Sequence, residues 1–323
     1  MEHMILQVQN LQTYFFTKAG VVKAIDGVSF VVSEGETLGI VGESGCGKTM
    51  TAMSILRLLP KPAGRTVGGN IIFQGRNLLE LSEKEMRSVR GKMISMILQD
   101  PMASLNPVYT ILSQVSEPIK LHQGIHNNRK VREAVISSLR MLKIPAPETR
   151  ISDYPHQLSG GMRQRVVGAI AVSCHPKLLI CDEPTTALDA TIQAQYLALL
   201  REVQQQTNMA ILFITHDFGI VGRMCHRLAV MYAGRIVETA PTKELLEDPK
   251  HPYTIALLNS VPRLGRTNER LFSIDGQPPK LVNLPPGCRF HPRCSMAKDI
   301  CHREMPVEVE ISDSHFVSCW RSK

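Results

Sequence analysis

Short apolar runs separated by turns dominate the amino-terminal part of the chain. They predict the strands Ile5–Val8, Val28–Val32 and Ile71–Phe73. A further apolar run, Thr37–Val41, predicts a fourth strand, and Met50–Leu59 then has the pattern of a helix. We therefore expect this part to be rich in β-structure.

The middle of the chain changes to helical spacing. Val131, Val135, Leu139 and Leu142 recur three or four residues apart, which predicts one apolar helix face. Strand patterns return at Leu178–Cys181, Ile211–Ile214 and Leu228–Met231. Strands that alternate with helices are typical of a mostly parallel sheet. We expect an α/β fold with a helical subdomain inserted at about residues 105–160.

Proline and glycine interrupt the carboxy-terminal part. Arg235–Thr239 predicts one more strand, and Lys243–Glu247 and Tyr253–Leu258 predict short helices. Breaks in regular structure are expected beyond them, at Pro262, Gly265, Pro278, Pro279, Pro285, Pro286 and Gly287. The predicted organisation is a domain over residues 1–255 followed by a small irregular extension over 256–323.

The hydropathy pattern predicts no secretory signal and no membrane span. Met1–Met4 lack a charged start followed by a long apolar stretch. The longest apolar run, around Val166–Ala171, is far shorter than the roughly 18–20 residues that cross a bilayer. The net charge of +8 is spread along the chain, and aromatic residues make up only 5%. We expect a cytosolic chain that does not bind nucleic acid and reaches a membrane only through partners.

Gly42–Thr49 form the motif G-x-x-x-x-G-K-T between a predicted strand and a predicted helix. Its glycines let backbone N–H groups wrap a phosphate, and the helix start adds a favourable dipole. Lys48 is expected to reach the β- and γ-phosphates, and the Thr49 hydroxyl to bind Mg²⁺. The motif predicts a nucleotide-binding site.

A second part of that site is predicted where an apolar strand ends in two carboxylates. Asp182 and Glu183 directly follow Leu178–Cys181. Behind a phosphate-binding loop, Asp182 is expected to assist Mg²⁺ and Glu183 to polarise the attacking water as general base. His216, which follows the strand Ile211–Ile214, is expected to contact the γ-phosphate or that water.

These motifs, together with Leu158–Arg165 (Leu-Ser-Gly-Gly-Met-Arg-Gln-Arg), resemble the ATPase subunits of ABC transporters over about residues 4–250. Gln99 after the strand Met93–Leu98 and the segment Ala187–Asp189 complete the same ordered set. The resemblance implies an ABC-type P-loop ATPase with an amino-terminal antiparallel β subdomain. Such ATPases close around ATP as dimers.

The resemblance also assigns roles to single residues. It implies that Gln99 touches Mg²⁺ and the attacking water, and that Asp189 contacts the opposite subunit. Ser159, Gly160 and Gly161 are expected to cover the partner's ATP. An aromatic residue before the phosphate loop stacks on adenine in this family; Phe15 is expected here, with Tyr14 and Phe16 as alternatives. The expected ATP-binding residues are Phe15, Gly42, Glu43, Ser44, Gly45, Cys46, Gly47, Lys48, Thr49 and Met50.

Finer features resemble the dipeptide and oligopeptide importer branch of the family. They are the segments Gln99–Pro107, Tyr154–Gln157 and His251–Thr254. The implied function is ATP hydrolysis that powers peptide import from the inner face of the cell membrane. The implied partners are a second ABC ATPase subunit, two membrane-spanning permease subunits and an extracytoplasmic peptide-binding protein.

Two other functions remain open at this point. One is the ATPase of a nickel or other small-solute importer, since closely related ATPases serve those solutes. The other is a soluble ABC ATPase that acts on DNA or the ribosome. Against the latter, the chain has one cassette and lacks the long coiled-coil heptads of DNA-repair relatives.

The cysteines fall into two groups. Cys46, Cys174, Cys181 and Cys225 are scattered, whereas Cys288, Cys294, Cys301 and Cys319 crowd into the extension. Disulfides are rare in a reducing cytosol, so the second group predicts a metal site, and both Zn²⁺ and an iron–sulfur cluster accept four thiolates. Alternative ligands are His291, His302 and His315. Gly287–Cys294 resembles the extension of peptide-importer ATPases, which implies a [4Fe–4S] cluster, with zinc as the alternative.

Overall fold

The computed structural model describes residues 3–100, 104–186, 188–261 and 273–322. Pro101–Ala103 of the importer-type segment, Ala187, Pro262 and Gly265 lie outside the described residues. The chain divides into two compact units. One is built mainly from residues 80–213, and the other from residues 6–31, 37–79 and 214 onward. We call them the helical unit and the phosphate-loop unit. The expected domain division at residue 255 stays a prediction.

The strands of the described residues are numbered in chain order. They are β1 (Met4–Thr17), β2 (Gly20–Ser33), β3 (Thr37–Val41), β4 (Gly64–Phe73), β5 (Arg76–Asn77), β6 (Ile94–Ile97), β7 (Leu178–Asp182), β8 (Ala210–Thr215), β9 (Arg227–Tyr232), β10 (Arg235–Pro241), β11 (Val309–Ser312) and β12 (His315–Val317).

The α-helices are α1 (Lys48–Ile55), α2 (Glu83–Val89), α3 (Ile111–Gln123), α4 (Asn128–Met141), α5 (Pro147–Arg150), α6 (Gly160–Val172), α7 (Ala190–Thr207), α8 (Phe218–Met224), α9 (Thr242–Glu247) and α10 (Pro252–Ser260). Short 3₁₀ turns lie at Pro155–Gln157, His291–Arg293 and Asp299–His302. Within the described part of the chain, no helix combines the length and the apolar character needed to cross a membrane.

The fold class predicted from the sequence is confirmed. In the phosphate-loop unit, β2, β1, β4 and β5 form an antiparallel sheet, in which Leu6 pairs with Phe73 and Val8 with Ile71. The core strands β3 and β9 pair in parallel, as do β6 and β7 of the helical unit. Both β3 and β7 are buried along their whole length, which is typical of parallel strands covered on both faces.

Helix α1 is shorter than the predicted Met50–Leu59. It begins inside the phosphate-loop motif at Lys48 and ends at Ile55. The helix ends there because Arg57, two residues beyond Ile55, adopts a left-handed backbone with φ 53°. The Arg57 side chain donates a hydrogen bond to the carbonyl oxygen of Leu78 at 3.1 Å.

Three helices build the core of the helical unit. Helices α3, α4 and α6 pack on one another, and the predicted stripe of Val131, Val135 and Leu139 is buried there. Each of the three helices is capped by a side chain at its start, α3 by Thr110, α4 by Asn127 and α6 by Ser159.

The extension is largely irregular, as expected, and adds two short antiparallel strands beside β10. Thr239 pairs with Phe316, and Glu238 with Val317. The Glu238 carboxylate is buried, and it accepts the backbone N–H groups of Lys250 at 2.7 Å and His251 at 3.1 Å. A ring nitrogen of the buried His315 lies 2.9 Å from the same carboxylate, and the other lies 2.8 Å from Glu244. His315 therefore faces two carboxylates in this structure.

Candidate nucleotide site

The phosphate loop has no room for side chains at two of its glycines. Gly42 and Gly47 have φ values of +156° and +114°. A Cβ atom would lie 2.2 Å from the carbonyl oxygen of Met231 at Gly42, and 2.4 Å from that of Ala24 at Gly47. Only glycine satisfies the backbone conformation and the spacing together. The loop thus keeps the tight path that lets its N–H groups surround a phosphate.

The Lys48 side chain is held inside the loop. Lys48 is 5% exposed, and its ammonium group donates hydrogen bonds to the carbonyl oxygens of Gly42 at 2.8 Å and Glu43 at 3.0 Å. The beginning of α1 follows directly, with Thr49 in its first turn. In this arrangement the Lys48 ammonium group can exchange these two carbonyl oxygens for phosphate oxygens when an anion enters.

The histidine motif after the last core strands reaches the same loop. His251 accepts the N–H of Tyr253 at the start of α10, and burial lowers the pKa of His251 to about 3, which keeps the ring neutral and able to accept. The Tyr253 hydroxyl accepts the N–H of Glu43 at 2.9 Å. The predicted importer-type segment His251–Thr254 is thereby connected to the phosphate loop through one side chain.

In the helical unit, Gln99 and Glu183 meet. The Gln99 amide donates to the Glu183 carboxylate at 2.8 Å, and the Thr186 hydroxyl donates to the same carboxylate oxygen at 3.2 Å. Glu183 has a left-handed backbone, with φ 47°. Non-glycine residues in this region cluster at functional sites. Asp182 lies just before it, 3% exposed, at the end of β7. Thr186 was not singled out from the sequence.

The signature residues lie at the start of α6. Ser159 is its N-cap. Apart from the helix itself, no described residue lies within 4 Å of a Cβ atom placed on Gly160, whereas one on Gly161 would lie 2.8 Å from Ile192. Asp189 caps α7 by accepting the N–H groups of Thr191 and Ile192. An aspartate directly before a helix is a cap signal that the sequence already carried.

The three candidate aromatic residues differ in their surroundings. The Tyr14 hydroxyl donates to Asp26 at 2.6 Å, and burial, this bond and the carboxylate charge raise the pKa of Tyr14 to about 12. The Phe15 ring packs over Gly64 of the neighbouring strand. Phe16 is exposed and lies 5.7 Å from the guanidinium of Arg65. The choice of Phe15 stays a prediction.

Asp26 connects Tyr14 of β1 with Arg289 of the extension. Its carboxylate pairs with Arg289, whose guanidinium also donates to the carbonyl oxygen of Ala233. Burial alone would raise the pKa of Asp26, but the Tyr14 hydroxyl and the Arg289 charge outweigh it and hold that pKa below its ordinary value. No pattern in the sequence indicated this pair, because its two members lie in distant segments.

His216 is exposed between β8 and α8. Its neighbour Asp217 accepts the N–H of Gly219 at the start of the helix. The position after a core strand agrees with the prediction, and the proposed contact with phosphate or water stays a prediction.

The cysteines of the extension do not form a complete ligand set. Among the described residues, no three His, Cys, Asp or Glu side chains meet in a geometry that could hold a metal ion. The thiols nevertheless lie within electrostatic range. Burial raises the pKa of Cys288 to about 11 and raises those of Cys294 and Cys319, and Cys301 adds to all three shifts.

Comparisons with known proteins agree with this geometry. Residues 25–186 match the family described as ABC transporter. Residues 237–301 match the oligopeptide/dipeptide transporter C-terminal region. The second match covers β10 from Val237 onward, the histidine motif, and Cys288, Cys294 and Cys301.

Similar full-length proteins carry transport names. The chain is 52% identical over 99% of its length to a probable peptide ABC transporter ATP-binding protein of Sinorhizobium fredii, of which 95% is covered. It is 49% identical over 98% of its length to the dipeptide transport ATP-binding protein DppD of Bacillus subtilis, of which 94% is covered. The structure of cbiO1 from Clostridium perfringens, part of an ABC transporter complex, matches with a TM-score of 0.66 at 27% identity, covering 76% of this chain and 92% of that one.

Replacing Lys48 with Ala is expected to weaken MgATP binding at least tenfold, since the ammonium group held inside the loop is lost. Fluorescent-nucleotide titration of the full-length protein measures the change. Thr49→Ser keeps the hydroxyl and serves as the matched control, with near wild-type affinity. Wild-type affinity in Lys48→Ala would show that the loop does not bind the nucleotide through this residue.

Proposed function

The chain belongs to the family of ABC transporter ATP-binding proteins, and we propose that it hydrolyses ATP to power the import of di- and oligopeptides. One observation carries the peptide assignment. The region matched to oligopeptide/dipeptide transporters contains the histidine motif, and that motif contacts the phosphate loop through Tyr253. The region that matches peptide transporters thus contacts the phosphate loop.

The residues support a division of labour in hydrolysis. Lys48 and the loop N–H groups bind the phosphates. Thr49, Gln99 and Asp182 offer a hydroxyl, an amide and a carboxylate oxygen, the donor types that Mg²⁺ prefers. When bound, Mg²⁺ would neutralise part of the phosphate charge. Glu183, oriented by Gln99 and Thr186, accepts a proton from the attacking water.

Glu183→Gln is expected to lower hydrolysis by about 10²–10⁴-fold while MgATP binding persists, because only the general base is lost. Phosphate release and nucleotide affinity, measured on the same assembled complex, separate the two effects. Glu202→Gln, an exposed change on α7, provides the control with unchanged turnover. Normal hydrolysis by Glu183→Gln would remove Glu183 from this role.

Two cassettes are proposed to share each nucleotide. The Ser159–Gly161 segment is assigned to the ATP held by a second ABC ATPase subunit. Asp189 is assigned to a contact with that subunit. The open space around Gly160 supports this assignment, because a phosphate of another subunit could approach the backbone there.

Membrane partners are proposed to dock on the helical unit. Val108 and Tyr109 are 71% and 54% exposed just before α3, although both are large and apolar. A groove of about 770 Å³ lies beside them, lined in part by Tyr109, Glu117 and Leu121. Exposed apolar surface of this kind favours a protein partner. We assign it to one of two permease subunits, which work with an extracytoplasmic peptide-binding protein and place this chain on the inner face of the membrane.

Hydrolysis is therefore expected to depend on partners and on peptide. The isolated chain should release phosphate slowly. The complete complex in lipid vesicles should be stimulated by its binding protein loaded with peptide. Stimulation by a nickel-loaded binding protein instead would assign the complex to metal import. Full activity of the isolated chain at every concentration would contradict the shared sites.

We assign a [4Fe–4S] cluster to Cys288, Cys294, Cys301 and Cys319. Two of these sulfurs accept a backbone N–H, Cys301 that of Lys298 at 3.4 Å and Cys319 that of Arg321 at 3.5 Å. Such N–H donors stabilise thiolate charge and tune the potential of iron–sulfur clusters. Four thiolates are the ligand set that a [4Fe–4S] cluster takes, and the bound cluster would supply a one-electron redox centre. Zinc is the alternative.

Anaerobically purified protein is expected to be brown, to absorb near ~400 nm and to carry about four irons, since one cluster takes four Cys ligands. Cys301→Ser should lose both colour and iron. Cys174→Ser, a change in the helical unit, should keep them. Colourless protein with one zinc per chain would establish the alternative.

A further inference from the structure

An ion pair connects the cysteine-rich extension directly to the phosphate loop. The Arg293 guanidinium donates two parallel hydrogen bonds to the Glu43 carboxylate, from Nη1 to Oε2 at 2.7 Å and from Nη2 to Oε1 at 3.0 Å. The Arg293 side chain is 4% exposed and that of Glu43 is 27% exposed. A bidentate pair of this kind fixes geometry as well as charge.

The guanidinium itself is fixed by its surroundings. Arg293 Nε donates to the carbonyl oxygen of Asp275 at 3.0 Å, and Nη1 lies 3.4 Å from the Tyr232 hydroxyl. Tyr232 packs against the rings of Tyr253 and Phe290, with centroids 4.5 Å and 5.2 Å away. These contacts restrain the Arg293 guanidinium, and its two bonds to Glu43 position the Glu43 carboxylate.

The position of Glu43 gives this contact a consequence for ATP. Glu43 directly follows Gly42 in the motif, and its own carbonyl oxygen accepts a hydrogen bond from Lys48. A carboxylate at this position repels an entering polyphosphate unless a cation compensates it, and the interaction is strong where water is partly excluded. Arg293 supplies that cation from 250 residues further along the chain.

We propose that Arg293 is a positioning residue for ATP binding. It neutralises Glu43 and holds that side chain away from the phosphates, so the cysteine-rich extension forms part of the nucleotide site. The Tyr253 hydroxyl acts alongside it by fixing the Glu43 N–H. Arg293 does not touch the reacting atoms in this assignment. It acts through Glu43, and its effect on ATP depends on the charge of Glu43.

A double-mutant cycle tests this dependence. Affinity for MgATP is measured with an analogue that resists hydrolysis, on the full-length protein. Arg293→Ala is expected to weaken binding roughly tenfold, within the range of couplings between contacting residues. Glu43→Gln, measured alone, is the second single variant of the cycle. Arg293→Ala combined with Glu43→Gln should recover most of the loss, because the carboxylate that needed compensation is gone.

Two measurements separate charge compensation from a folding defect. Arg303→Ala, an exposed arginine of the same extension, is the matched control and should bind as wild type. The thermal midpoint of each variant reports on the fold. Wild-type affinity in Arg293→Ala overturns the proposal. A loss that persists unchanged in the double variant also overturns it, since the effect would then not pass through Glu43.

Discussion

The close approach of backbone to backbone at Gly42 and Gly47 is the constraint on which the site depends. Neighbouring carbonyl oxygens leave no space for a Cβ atom at either position, so the loop path is fixed before any ligand arrives. Lys48 then completes the loop from inside, and Tyr253 and Arg293 hold Glu43 from outside. A loop prepared in this way loses little conformational entropy when it binds phosphate.

Much of this arrangement could be predicted from sequence because its signals are local. The phosphate-loop motif needs eight consecutive residues, and β3 lies where the apolar run Thr37–Val41 placed it. Strands β1 and β2 proved longer than their apolar cores, because their outer residues alternate between buried and exposed positions. Polar residues at exposed positions of a strand carry little signal of their own.

The contacts that the sequence did not reveal join residues far apart in the chain. Arg293 and Glu43, or Arg289 and Asp26, are ordinary charged residues until the fold brings them together. Asp189 is different, because its place directly before a helix already indicated a capping role. The family resemblance pointed instead to a contact with a second subunit. His315 was considered as a metal ligand on residue type alone, and the fold instead places it between Glu238 and Glu244.

The buried carboxylate of Glu238 has a consequence for how the protein is made. Its partners are the N–H groups of Lys250 and His251 and the ring of His315, which leaves the ribosome long after β10. Until His315 arrives, this charge lacks one of its partners, and an incompletely paired carboxylate resists burial. The strands around Glu238 therefore complete their packing only after His315, 77 residues further along the chain, has left the ribosome.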